Sequence, residues 1–133
     1  MKKRGIINAQ LAGLIAGLGH KDRFMIADGG MPVPKDVEIV DLALCGGVPG
    51  FRQVMDAVLD ETEVEYYILA EEIVEKNQEL LSYIRGKLPG AGSEMISHVE
   101  LKEMMKNIKF VIRTGEFTPY PNIILRAGVA FPA

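Results

Sequence analysis

Few side chains in this sequence have both the chemistry and the placement to move a proton. The chain has two histidines. His20 closes "GLGH" and precedes Asp28, the residue that ends the short apolar run "RFMIAD". His98 closes "EMISH", and the segment "RTGEFTPYPN" brings Arg113, Glu116, Tyr120 and Asn122 close together in sequence. An imidazole of ordinary basicity can give or take a proton at neutral pH, and a carboxylate can hold a hydroxyl or accept its proton. These residue types suit acid–base work on a small polar molecule. Each also has a plainer role. His20 would be favoured at the negative end of a helix, and Asp28 would bind backbone amides ahead of Gly29 and Gly30. His98 could cap the following helix, Tyr120 and Asn122 could flank Pro121 in a hairpin connection, and Arg113 could pair with Glu116.

Other chemistries lack their residues. No G-x-G-x-x-G or G-x-x-x-x-G-K-[ST] occurs, so dinucleotide and P-loop phosphate binding have no glycine cradle. "GGVPG" is glycine-rich, but Pro49 removes an amide where a phosphate nest needs one. There is no G-x-S-x-G elbow. Ser97 adjoins His98, but neighbours on a strand point to opposite faces. The histidines do not form an H-x-x-x-H pair, and no metal set is identified. The lone Cys45 is expected to pack in a strand, Met104 and Met105 to fill a core or subunit contact, and the acidic run "ETEVE…EEIVE" to be a solvated helix face.

The elements that must position these groups follow from periodicity. Asn8 is a helix N-cap, with Leu11, Leu14, Ile15 and Leu18 on one face and Gly19 as the left-handed closing residue. "RFMIAD" reads as a buried strand and "MPVP" as an extended loop. "VEIVDLAL" is a second strand, "GGVPG" a turn, and Phe51, Val54, Met55, Val58 and Leu59 mark a second helix. "VEYYILA" is a strand. "EEIVEKNQELLSYIRGKL" is one longer helix with Leu80, Leu81, Ile84 and Leu88 inward, broken by "GAGS". "EMISH", "FVIRT" and "NIILRAGVAF" are strands, and "VELKEMMKN" is a short helix. Strands alternating with helices, and apolar on both faces, predict an α/β fold: three layers, with a largely parallel or mixed central sheet and helices on both faces. Ligands in such folds sit beyond the carboxyl ends of the strands, where Asp28, His98 and Thr114 are predicted.

With 133 residues, 48% of them hydrophobic, the chain suits one domain over 1–133. A net charge of −3 and scattered Lys and Arg argue against a nucleic-acid partner. No apolar run reaches the roughly 20 residues of a membrane span. "MKKRG" is not followed by a signal-peptide pattern, so a cytoplasmic location is expected. The ending "NIILRAGVAFPA" is too apolar for a free tail and should be buried in the sheet or against another chain.

Two long stretches, "MKKRGIINAQLAGLIAGLGHKDRFMIADGGMPVP" and "VIRTGEFTPYPNIILRAGVAF", resemble the ribose pyranase and fucose mutarotase family; "DLAL…GVPGF" and "AEEI…NQ" extend the likeness more loosely. After the aspartate, the ribose branch usually reads D-A-G-L-P and the fucose branch D-A-N-F-P. "DGGMP" keeps the glycine, which favours the ribose branch. The resemblance implies cofactor-free, metal-free interconversion of the pyranose and furanose forms of D-ribose. It also implies cytoplasmic homo-oligomers, decamers of two pentameric rings, with sites near subunit boundaries. Carried over, the catalytic histidine is His20, and the sugar-binding residues are Asp28, His98, Tyr120, Pro121 and Asn122. Ring opening needs a proton given to the ring oxygen and one taken from the anomeric hydroxyl, and no cofactor. The alternatives are the same reaction on another sugar such as L-fucose, a non-catalytic sugar-binding module, and a nucleotide-binding flavodoxin-like protein without its phosphate loop.

Overall fold

In the computed structural model, which describes residues 1–132, six strands form one sheet in the order β2-β5-β1-β6-β3-β4. The strands are β1 Arg23–Ala27, β2 Glu38–Asp41, β3 Val64–Ala70, β4 Gly92–Ile96, β5 Phe110–Arg113 and β6 Ile123–Ala127. The helices are α1 Ala9–Ala16, α2 Phe51–Glu61, α3 Ile73–Lys76, α4 Gln78–Lys87 and α5 His98–Met104. The β1–β5, β2–β5 and β3–β4 pairs are parallel, whereas β6 runs antiparallel to both β1 and β3. Five strands therefore point one way, and the inner strand β6 points the other.

Alternation along the strands divides the core. Phe24 and Ile26 face one side with Tyr67, Leu69, Phe110, Ile112, Ile123 and Leu125, covered by Leu11, Phe51, Met55, Val58, Ile73 and Ile84 from α1 to α4. Met25, Ala27, Ile68, Val111 and Ile124 face the other side, under Leu101 and Met105 and the loop residue Met31. This is the expected three-layer α/β arrangement with a mixed sheet, one face more heavily covered than the other. Strands buried on both faces explain the near-continuous apolar runs.

Several local expectations change. Asn8 caps α1 as expected, its Oδ1 accepting from the Leu11 amide at 2.9 Å. The helix stops at Gly17, in ordinary right-handed geometry, and the left-handed residue is Lys21 at φ 74°. The expected long helix is two, because Asn77 leaves helical geometry at φ −154° and turns its Nδ2 to Thr118 Oγ1 and the Pro119 carbonyl, both at 2.9 Å. Within "GAGS", Gly92 and Ser93 begin β4. Strand β2 ends at Asp41, leaving Cys45 exposed in a loop rather than packed in a strand. β1 lies between β5 and β6, so the segment carrying Tyr120 and Asn122 crosses over it and is not a hairpin turn. The apolar ending is split: Ile123–Ala127 is almost wholly buried in β6, whereas Val129 is 37% and Phe131 69% exposed. Ala133 lies outside the described residues.

Candidate active site

The carboxyl edge of the parallel strands gathers most of the candidate polar residues. Asp28 follows β1 directly, and Asn122 directly precedes the reversed strand β6, so the two meet. The Asp28 amide donates to Asn122 Oδ1 at 2.8 Å, and Asn122 Nδ2 donates to Asp28 Oδ2 at 3.0 Å. Asn122 is completely buried, so this reciprocal pair satisfies groups that burial would otherwise penalise. Asp28 Oδ1 accepts from the Gly30 amide at 2.8 Å, which makes the anticipated turn real. The loop is held from below as well. Arg113 donates through Nε to the Gly29 carbonyl at 3.1 Å and through one terminal nitrogen to Asp41, instead of to Glu116. Glu116 serves the Phe51 amide at the start of α2.

His98 reaches the same edge from β4. Ser97, not His98, caps α5, its hydroxyl accepting from the Glu100 amide at 3.1 Å. The His98 amide, in the first helical turn, donates to the Glu72 carboxylate at 3.0 Å. Its ring stands edge-on to Tyr120, with centroids 5.1 Å apart and planes at 84°. Burial holds the His98 imidazole below its usual basicity; Lys102 adds to this, while Glu72 and Asp28 pull the other way. His98 Nδ1 is buried without a partner among the described residues. Tyr120 sits at φ 60°, uncommon for a bulky residue, and Pro121 behind it is buried. Such backbone strain concentrates at functional positions. Asp28, His98, Tyr120, Pro121 and Asn122 thus occupy one edge.

His20 lies elsewhere. It precedes β1, at the opposite edge of the sheet, where the Lys21 amide donates to the Ala127 carbonyl at 2.8 Å. At about 3.3 Å per strand residue, β1 separates His20 from Asp28 by roughly 16 Å. Asp28 therefore does not orient His20 within one chain. Glu65 does: His20 Nε2 lies 2.6 Å from Glu65 Oε1, and Arg126 Nε donates to Glu65 Oε2 at 2.8 Å. The hydrogen bond from His20 is the main reason the Glu65 carboxyl titrates below its usual range; burial opposes it, and the His20 and Arg126 charges assist it. The His20 side chain is 45% exposed and open to a partner.

Among the described residues, no group of three or more His, Cys, Asp or Glu side chains is arranged to hold a metal, and no helix is long and apolar enough to cross a membrane. Residues 1–130 match the model of the RbsD / FucU transport protein family. The chain belongs to the RbsD / FucU family. A D-ribose pyranase of Geobacillus kaustophilus is 50% identical over 98% of this chain and 96% of its own length. One from Streptococcus agalactiae is 51% identical over 97% and 98%. Among solved structures, Bacillus subtilis RbsD complexed with D-ribose matches with a TM-score of 0.94 and 46% identity, covering 98% of this chain and all of the other. A Streptococcus pneumoniae fucose mutarotase, solved with L-fucose, has a TM-score of 0.79 at 20% identity, a likeness of fold alone.

Two polar residues of this RbsD / FucU chain were missed by sequence reasoning. Glu65 and Glu72 both fell within an acidic run read as a solvated face, although "VEYYILA", which carries Glu65, was read correctly as a strand; Glu65 meets His20, and Glu72 receives the His98 amide. Arg126 gave a usable signal: it is the only charge in the apolar strand "IILRA".

Proposed function

We propose that the protein is a D-ribose pyranase, an isomerase that interconverts the pyranose and furanose forms of D-ribose through the open chain. In the pyranose, His20 delivers a proton to the ring oxygen while a neighbouring group takes the proton of the anomeric hydroxyl. The bond between the anomeric carbon and the ring oxygen then breaks, leaving the aldehyde. Closure through a different hydroxyl gives the furanose, with no net gain or loss of protons. Asp28, His98 and Tyr120 bind sugar hydroxyls, with Asn122 holding Asp28 in place from beneath and Pro121 shaping the wall beside them. Full-length likeness at about half identity to proteins named D-ribose pyranase carries the choice of reaction and sugar. A well-placed acid or base contributes about 10²–10⁴ in rate, enough to matter for a reaction that already proceeds unaided.

The geometry also supports assembly. His20 and the Asp28 cluster lie at opposite sheet edges, so they can act on one sugar only where the His20 edge of one copy meets the Asp28 edge of another. A head-to-tail contact of this kind closes into a ring when its rotation allows. Exposed apolar side chains stand at both edges: Leu44, Val99 and Phe117 at one, Phe131 at the other. We read the chain as one unit that assembles into two stacked pentameric rings in the cytoplasm.

NMR saturation transfer between the anomeric forms of ribose and of fucose tests the function. Added protein should accelerate ribose exchange more than fucose exchange, and His20→Ala should lose the acceleration while keeping its fold. Binding of ribose without faster exchange would favour the non-catalytic sugar-binding module.

A further inference from the structure

Resting on the reading of His20 as the proton donor, we propose that Glu65 is a positioning residue: it holds the His20 imidazole through Nε2 and leaves Nδ1 to exchange the proton with the sugar ring oxygen. A carboxylate only accepts, so the 2.6 Å contact to Glu65 Oε1 requires a proton on Nε2. In the neutral ring, Nδ1 is then the bare nitrogen; in the charged ring, its proton is the free one.

The surrounding structure holds both oxygens of that carboxylate. Its second oxygen takes the Arg126 Nε proton at 2.8 Å, and the Arg126 guanidinium lies over the Tyr66 ring, 4.7 Å from its centroid. The β3–β6 register shifts between Val64 and Tyr66, an irregularity of the kind that re-aims a strand side chain. Gly128 permits the close fit, since a Cβ there would come within 3.2 Å of Glu65 Cβ. His20 is fixed by its own turn, in which Asp22 Oδ2 accepts the Gly19 amide at 2.8 Å and the Asp22 amide returns to the Gly19 carbonyl at 3.1 Å. A histidine oriented by a buttressed carboxylate at one nitrogen and working through the other is a recurrent catalytic device.

Arg126 makes the test sharp, because its Nε can only donate. In Glu65→Gln it keeps the amide oxygen, so the amide NH₂ faces His20 and Nε2 must accept. The neutral ring should then carry its proton on Nδ1. Long-range ¹H–¹⁵N spectra of the ring should show protonated Nε2 in the parent protein and protonated Nδ1 in Glu65→Gln. Saturation transfer should show kcat for ribose exchange lowered about 10²–10³-fold, with KM changed less than about threefold. Glu65→Asp, which keeps the carboxylate, should retain at least about tenfold more exchange than Glu65→Gln. Exchange in Glu65→Gln within about threefold of the parent, an unchanged tautomer, or equal losses in the two variants would overturn the proposal. If Glu65→Gln fails to fold, a parent His20 ring protonated at Nδ1 alone overturns it. Full activity in His20→Ala would instead defeat the underlying reading, and this inference with it.

Discussion

The two edges of the sheet differ in how their polar groups are held. At the carboxyl edge, Asp28 and Asn122 are locked face to face, Asn122 is fully buried, and His98 is half-buried against Tyr120. At the opposite edge, His20 is exposed and bonded to Glu65, whose other oxygen is held by Arg126. One edge is a preformed cradle of hydrogen-bonding groups; the other presents an exposed imidazole beside a paired carboxylate. The proposed reaction draws on both, and so calls for the two edges of different copies to meet.

The comparison is most directly broken by mixing. His20→Ala and Asp28→Asn should each lose most ribose exchange, by about 10²-fold or more. Subunits of the two variants, dissociated and reassembled together in equal amounts, should recover about a quarter of the parent activity, the share of contacts that pair an intact His20 with an intact Asp28. No recovery in a demonstrably mixed assembly would place each site within one chain.

A smaller effect tests the cradle itself. Asn122→Leu removes both partners of Asp28 in the reciprocal pair and should cost about 1–3 kcal/mol of stability. Denaturant titration at fixed protein concentration checks this, and an unchanged midpoint would mean that the pair is not holding the edge together.

The smallest effect concerns His98. Its folded imidazole titrates below the ordinary value of 6.5 because burial disfavours the charged form. Below that value the unfolded chain binds the extra proton first, so this contribution to stability is intact above pH 6.5 and is lost as pH falls through the folded value. His98→Gln should flatten that part of the stability curve, and the difference between the two proteins should shrink on acidification. A difference independent of pH would contradict the assignment.

Much of this was legible in sequence because it rests on short-range rules. Short, near-continuous apolar runs marked the strands, Asn8 marked a cap, and turn chemistry around Asp28 placed an aspartate at a strand end. Asn77 defeated the helix reading because its partners, Thr118 and Pro119, are remote in sequence. Glu65 was missed for the same reason: nothing local marks a glutamate that meets a histidine 45 residues away. Only eight positions separate His20 from Asp28, but an extended strand turns nearness in sequence into distance in space.

The reversed strand β6 has a consequence for how such a protein can vary. Asn122 adjoins its start and Arg126 lies near its end, so a few residues act as a strut whose length sets the cradle and the histidine's mount together. One residue added inside it would turn Arg126 to the other face of the sheet, removing a partner of Glu65 and loosening the support of His20 through an edit that touches neither.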